Sequence, residues 1–228
     1  MAIDGAIFDC DGTLLDSLPA WRGLEGYLCS LCDGCVTEED RARLITFTVP
    51  ETAEWFHASF GLGKNVGQVI GLMDEYLVDQ YARAKMLPGV AAFLEGCARE
   101  GIKMSVASSS SVHYLEAGLK ASGIRDFFCD VVSVEQLGTT KREPLVYDKA
   151  RESMGTLRTL TWGFEDSQYA METLKNAGYS VVGIFGGNAP DSDGMLGVSC
   201  DVAIRSFEEL SPVDLMRATQ NISSARTL

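Results

Sequence analysis

Residues 7–17 read IFDCDGTLLDS. An apolar start of this kind feeds a strand, yet the run ends in Asp9, Asp11, Gly12 and then Asp16 instead of an ordinary turn. Acids this close repel one another, and they stay ionised together only when a positive charge joins them. Residues i and i+2 of an extended backbone point the same way, which would aim Asp9 and Asp11 at one spot. One carboxylate can then attack an electrophile such as phosphorus, while the other protonates the leaving oxygen and later takes a proton from water. Gly12 lets the backbone turn away sharply.

The rest of the chain places partners for these acids. Beyond residue 86 helix and strand alternate: helix over 86–101, strand 102–108, helix 111–123, strand 129–134, helix 144–155, strand 159–166, helix 167–178, strand 179–186, and a short strand at 201–206 before a final helix. Repeated β-then-α units with apolar, β-branched strands predict a parallel sheet covered on both faces. Ligands of such sheets bind at the carboxyl ends of the strands. Ser108-Ser109 follow one strand, Lys141 lies between the next strand and its helix, and Glu165-Asp166 end another. Crowded carboxylates call for a cation, and Mg²⁺, held by carboxylates together with substrate phosphate, suits them. Lys141 adds a second cation, and Ser108 with nearby backbone N–H groups adds neutral donors for phosphate oxygens. Taken singly, each element has an ordinary reading as a solvated turn, a helix cap or a charge serving a helix dipole. Their order at successive strand ends argues for a site.

Residues 17–86 break the rhythm. They carry helical patterns, such as 50–61 and 66–86, and no convincing strand. The expected organisation is therefore an α/β core of residues 1–16 and 87–228, with a helical cap of residues 17–86 inserted over the ligand edge.

Composition narrows the function classes. Of the 228 residues 46% are apolar and 22% charged, ordinary values for a globular protein. With 19 basic and 32 acidic residues the net charge is −13, which argues against non-specific nucleic-acid binding. No apolar run approaches the roughly 20 residues of a membrane span, and the opening MAIDGAIF does not read as a signal peptide. Seven cysteines, an odd count, predict reduced thiols and a cytoplasmic protein. Cys29, Cys32 and Cys35 are spaced like part of an iron–sulfur pattern, but the further Cys-Pro of that pattern is missing; they read as plain cysteines near a helix end.

The motifs together resemble the haloacid dehalogenase superfamily. FDCDGTLLDS resembles its first motif, SVASSS its second, KREPLVY its third (usually K-P-x-P-x-x-Y/F) and GFEDSQYAMETLKNAG its fourth. The resemblance implies a Rossmann-like parallel sheet with a small helical cap. It also implies Asp9 as nucleophile, Asp11 as acid/base, Ser108 and Ser109 on phosphate, Lys141 stabilising the charged site, and Mg²⁺ held by Asp9, Asp11, Glu165 and Asp166. Arg142 stands where Pro is usual and Leu145 where Asp is usual. Asp11 separates the chain from family dehalogenases, which resemble D-x-Y-G-T, and from phosphonate-cleaving relatives, which tend to carry Ala there. β-Phosphoglucomutases share D-x-D but carry a His twelve residues after the nucleophile, where this chain has Trp21.

The expectation is a Mg²⁺-dependent phosphomonoester hydrolase working through an aspartyl phosphate on a small phosphorylated metabolite. A sugar-phosphate mutase is the alternative enzyme, and a catalytically idle binding module the alternative class. A small-molecule phosphate ester is the expected partner, with no nucleic acid or membrane, and the chain is expected to be a monomer or weak dimer. His57 and His113 read as packing residues, Trp21, Tyr27, Trp55 and Phe56 as cap core or pocket, and Lys64 as a cap residue able to grip substrate.

Overall fold

The computed structural model describes residues 3–34, 36–44, 47–186 and 200–225, the side chains of 221–225 excepted. Strand β1 (Gly5–Phe8) is followed by four helices, α1 (Leu18–Ser30), α2 (Glu38–Leu44), α3 (Val49–Phe60) and α4 (Val66–Arg83). Then come α5 (Val90–Arg99), β2 (Lys103–Ser108), α6 (Val112–Ala121), β3 (Phe128–Ser133), α7 (Val134–Leu137), α8 (Leu145–Met154), β4 (Thr161–Glu165), α9 (Gln168–Asn176), β5 (Ser180–Ile184), β6 (Val202–Ile204) and α10 (Pro212–Ala225). The strands form one sheet in the order β3-β2-β1-β4-β5-β6, and every pairing is parallel. This is the Rossmann-like α/β core the sequence predicts.

All four residues of β1 are buried. Ala6 and Phe8 enter one apolar layer and Ile7 the other, which is why the strand shows no polar alternation. Phe8 stacks on Phe164 of β4 at 4.4 Å between ring centroids and meets Phe93, Phe128 and Phe207 edge-on or tilted. This aromatic cluster sits directly behind the strand ends and fixes them. From β1 the chain crosses to β2 on one side and later to β4 on the other, so β1 and β4 flank a topological switch point. A crevice opens there at the carboxyl ends.

The inserted helices leave and return through two segments that run side by side: Asp16 N–H donates to Lys85 O at 2.9 Å and Leu87 N–H to Leu14 O at 3.0 Å. Helix α4 buries Val69, Met73, Leu77 and Tyr81, one residue per turn, against a single face. Helix α3 starts from a capping box between Thr48 and Glu51. Cys29 and Cys32 lie at the C-terminal end of α1, where Cys32 Sγ meets Leu28 O at 3.4 Å; Cys35 lies outside the described residues. Among the described residues no helix is long and apolar enough to cross a membrane.

Candidate active site

Strand register brings the acids together. Phe8 pairs with Phe164, and Asp9 N–H donates to Phe164 O at 2.9 Å, so Asp9 sits beside Glu165. Lys141 reaches across from the loop after α7. Its Nζ donates to Asp9 Oδ1 and to Glu165 Oε1, each at 2.5 Å. All three are buried, Lys141 at 3% exposure, so no water screens the pair of contacts. Burial opposes the charge on Lys141, but Asp9 and Glu165 outweigh it and hold its pKa above the ordinary lysine value. Tyr147 of α8, the last position of the third motif, donates its hydroxyl to the same Glu165 oxygen at 2.9 Å. The loop departure at Arg142 leaves this arrangement alone: its guanidinium lies outward over the Tyr169 ring, 4.8 Å from the centroid.

Asp9, Glu165 and half-buried Asp166 each offer one carboxylate oxygen, and these oxygens lie within 4.8 Å of one another. Burial, and then the charge of Glu165, push Asp166 up to about 6. Burial likewise pushes Asp9 up, with Lys141 opposing. Three carboxylates thus converge around one lysine ammonium among the described residues. An all-oxygen donor set of this kind fits a hard divalent cation. Gly12 is required here on two counts. Its φ is +82°, and a Cβ would stand 2.5 Å from Asp166 Oδ2.

Asp11 behaves differently from its neighbour. The ladder continues through Asp9, and the chain turns after Cys10, whose carbonyl accepts from Leu14 and Leu15 N–H at 2.9 and 3.0 Å. The Asp11 carboxylate is not among the three that converge. Its Oδ1 accepts from the hydroxyls of Ser17 and Tyr81 (the latter at 2.5 Å), and its Oδ2 from Ser110 at 2.6 Å and, more loosely, Ser108 at 3.3 Å. Ser108, at the end of β2, thus touches Asp11, as the strand-end reading expects. Ser109 is exposed, and Ser110 is the neighbour that turns inward.

Helix capping does not account for these hydroxyls. Ser17 stands at the N-cap of α1 and Ser111 at that of α6, yet neither side chain caps its helix. Ser17, Ser110 and Tyr147 lie within the quoted motifs without a role assigned to them, and Tyr81 shows in the sequence only as a polar tip closing the apolar α4 stripe. Lys64 is exposed in the loop between α3 and α4, His57 Nδ1 meets Leu62 O at 2.8 Å, and His113 lies 3.5 Å from Asp74.

Comparison with known proteins settles the family. The family model of the haloacid dehalogenase-like hydrolases matches residues 6–184. The chain belongs to that family. It is 26% identical over 214 residues to hexitol phosphatase B of Escherichia coli K12, covering 92% of this chain and 96% of the relative. It is 28% identical over 193 residues to phosphoglycolate phosphatase of Rhodospirillum rubrum, 77% of each chain. The crystal structure of CbbY from Rhodobacter sphaeroides in complex with phosphate superposes with a TM-score of 0.73 at 23% identity, covering 91% of this chain and 96% of that one. This haloacid dehalogenase-like hydrolase is thus an enzyme of the phosphatase kind, a phosphoric monoester hydrolase.

Proposed function

We propose that the chain hydrolyses the monophosphate of a small sugar, polyol or hydroxy acid with Mg²⁺, through an aspartyl phosphate on Asp9. The observation that carries this reading is the buried Asp9–Lys141–Glu165 contact beside a second acid, Asp11, that faces hydroxyls instead of cations. Two acids a residue apart in such different surroundings suit two different tasks.

In the first step an Asp9 oxygen bonds to phosphorus as the ester P–O bond breaks, and Asp11 gives its proton to the departing alkoxide. In the second, a water oxygen bonds to phosphorus as the Asp9 O–P bond breaks, and the water's proton passes to Asp11. Lys141 fixes Asp9 and offsets charge on the transferring group, and Ser108 offers a hydroxyl to a phosphate oxygen. Mg²⁺, held by Asp9, Glu165 and Asp166, would neutralise the phosphate's charge and orient it.

Residues 17–86 would serve as the cap. A cavity of about 680 Å³ lies among the inserted helices, lined by Trp21, Arg22, Thr52, Phe56 and Met73 among others. Trp21 links it to the chemistry, because its indole N–H donates to the Tyr81 hydroxyl, the one bonded to Asp11. That supports the cavity as room for the organic part of the substrate. A wider groove of about 780 Å³ runs beside α6 and α7 and is lined by none of the acids described above. We place the enzyme in the cytoplasm as a monomer or weak dimer, in keeping with the odd cysteine count of its sequence.

The test is a panel of phosphate esters that begins with a hexitol phosphate and phosphoglycolate and includes β-glucose 1-phosphate with a trace of the bisphosphate. Inorganic phosphate should appear without any sugar acceptor, and excess chelator should abolish it. Glucose 6-phosphate forming faster than inorganic phosphate would make the enzyme a mutase, and full activity in chelator would remove the metal. The pH dependence follows from Asp166. Below about pH 6 it holds a proton that Mg²⁺ must displace, so the Mg²⁺ concentration for half-maximal rate should rise roughly tenfold per pH unit there. A flat requirement between pH 7 and 5 would contradict this.

A further inference from the structure

The insert contributes a buried phenol to the acid/base. Tyr81, the last buried residue of α4, is fully buried, and its hydroxyl lies 2.5 Å from Asp11 Oδ1 and 2.9 Å from Ser110 Oγ. The phenol has one proton to give. It goes to Oδ1, the shorter of the two contacts, while the Ser110 hydroxyl gives its own proton to Asp11 Oδ2 at 2.6 Å. From behind, the Trp21 indole N–H donates to the phenol oxygen at 2.9 Å.

The ring itself is clamped. Tyr114 of α6 packs on it at 5.7 Å between centroids and meets Trp21 edge-on at 6.1 Å, while the Tyr114 hydroxyl donates to Asp74 of α4. Gly118 of α6 permits the close approach, since a Cβ there would stand 3.1 Å from Tyr81 O and 2.7 Å from Leu15. Asp11 is therefore divided between two parts of the fold. Oδ1 is held by Ser17 and Tyr81 of the insert and its linker, and Oδ2 faces Ser108 and Ser110 at the end of β2.

We infer that Tyr81 is a positioning residue for the reaction: braced by Trp21, it fixes Asp11 Oδ1 and so presents Oδ2 to the bridging oxygen of the bound ester. The inference rests on the acid/base assignment of Asp11 made above. The proton that leaves Oδ2 goes to the alkoxide as its P–O bond breaks, and the attacking water restores it in the second step. Tyr81 is not among the hydrogen-bond partners that join Asp9, Lys141 and Glu165.

The test compares two esters in Tyr81→Phe, which loses only the hydroxyl. One is the best alkyl phosphate from the panel, whose leaving alkoxide needs a proton, and the other is 4-nitrophenyl phosphate, whose leaving group does not. The quantity is kcat/KM, which reports the step that forms the phosphoenzyme. We expect it to fall about tenfold or more for the alkyl ester and less than about threefold for the aryl ester. Trp21→Phe, which removes the N–H and keeps a ring against Tyr114, should show the same selectivity more weakly, and it carries the test if Tyr81→Phe does not fold. Equal losses on both esters, or none, would overturn the positioning role. Asp11→Asn is the control. If it too fails to distinguish the esters, the acid/base assignment falls and the inference with it; if it distinguishes them and Tyr81→Phe does not, the inference alone falls.

Discussion

Asp9→Asn is expected to lower kcat by about a thousandfold or more, because an amide oxygen is too weak a nucleophile to attack phosphorus. The substitution changes one buried polar atom at the end of β1. Lys141 keeps Glu165 at 2.5 Å, and the aromatic cluster behind the strand is untouched, so the fold should survive. Circular dichroism and thermal unfolding alongside the assay separate lost chemistry from lost structure. Turnover within tenfold of wild type in a folded protein would end the assignment of Asp9 as nucleophile.

Lys141→Met should damage both activity and stability. Lys141 is the cation between Asp9 and Glu165, and removing one partner of a buried ionic contact typically costs about 3–5 kcal/mol. In a chain of this length that corresponds to a Tm lower by roughly 10 °C. Activity should fall at least a hundredfold, since the transferring phosphoryl group loses a fixed positive charge. Mg²⁺ should recover part of the Tm by binding the folded form and neutralising the buried carboxylates left without Lys141, with little recovery of rate. A Tm within about 2 °C of wild type, or a rate within tenfold, would show that Lys141 is neither the structural nor the electrostatic centre of the site.

The parallel core was legible because buried strands declare themselves. β1, β2, β4 and β5 are short buried runs of four to six residues, and β1, β2 and β4 lead into polar residues at their carboxyl ends; parallel topology turns those ends into one place. The structure brings Asp9, Lys141, Glu165 and Asp166 together and sets Ser108 against Asp11, at the edge that reasoning points to. Not legible were α2, whose EEDRARL buries nothing and so has no apolar period to read, and α7, which is a single turn.

The surroundings of Asp11 were hidden for other reasons. Its partners lie 6, 70, 97 and 99 residues away in sequence, and no local pattern announces such contacts. Tyr81 reads as one more apolar position of the α4 stripe until its hydroxyl is placed. Ser17 stands at the N-cap of α1, yet its side chain turns to Asp11 instead of capping the helix. That Ser110 turns inward beside an exposed Ser109 is a matter of turn geometry: once β2 ends at Ser108, the two-residue alternation of the strand no longer says which serine faces in. Asp11 stands apart from the three converging carboxylates and bonds instead to hydroxyls of the insert and of the β2 end.

The account stands on a covalent bond between Asp9 and phosphorus, and that bond can be observed. The enzyme is mixed with substrate and Mg²⁺, quenched on the timescale of a turnover, reduced with borohydride and digested, and the peptide spanning residues 7–17 is examined by mass spectrometry. An acyl phosphate is reduced to the alcohol, so Asp9 should become homoserine in the complete mixture and remain aspartate when substrate or Mg²⁺ is left out. Reduction at another residue, or no reduction at position 9 while phosphate is being released, would contradict it.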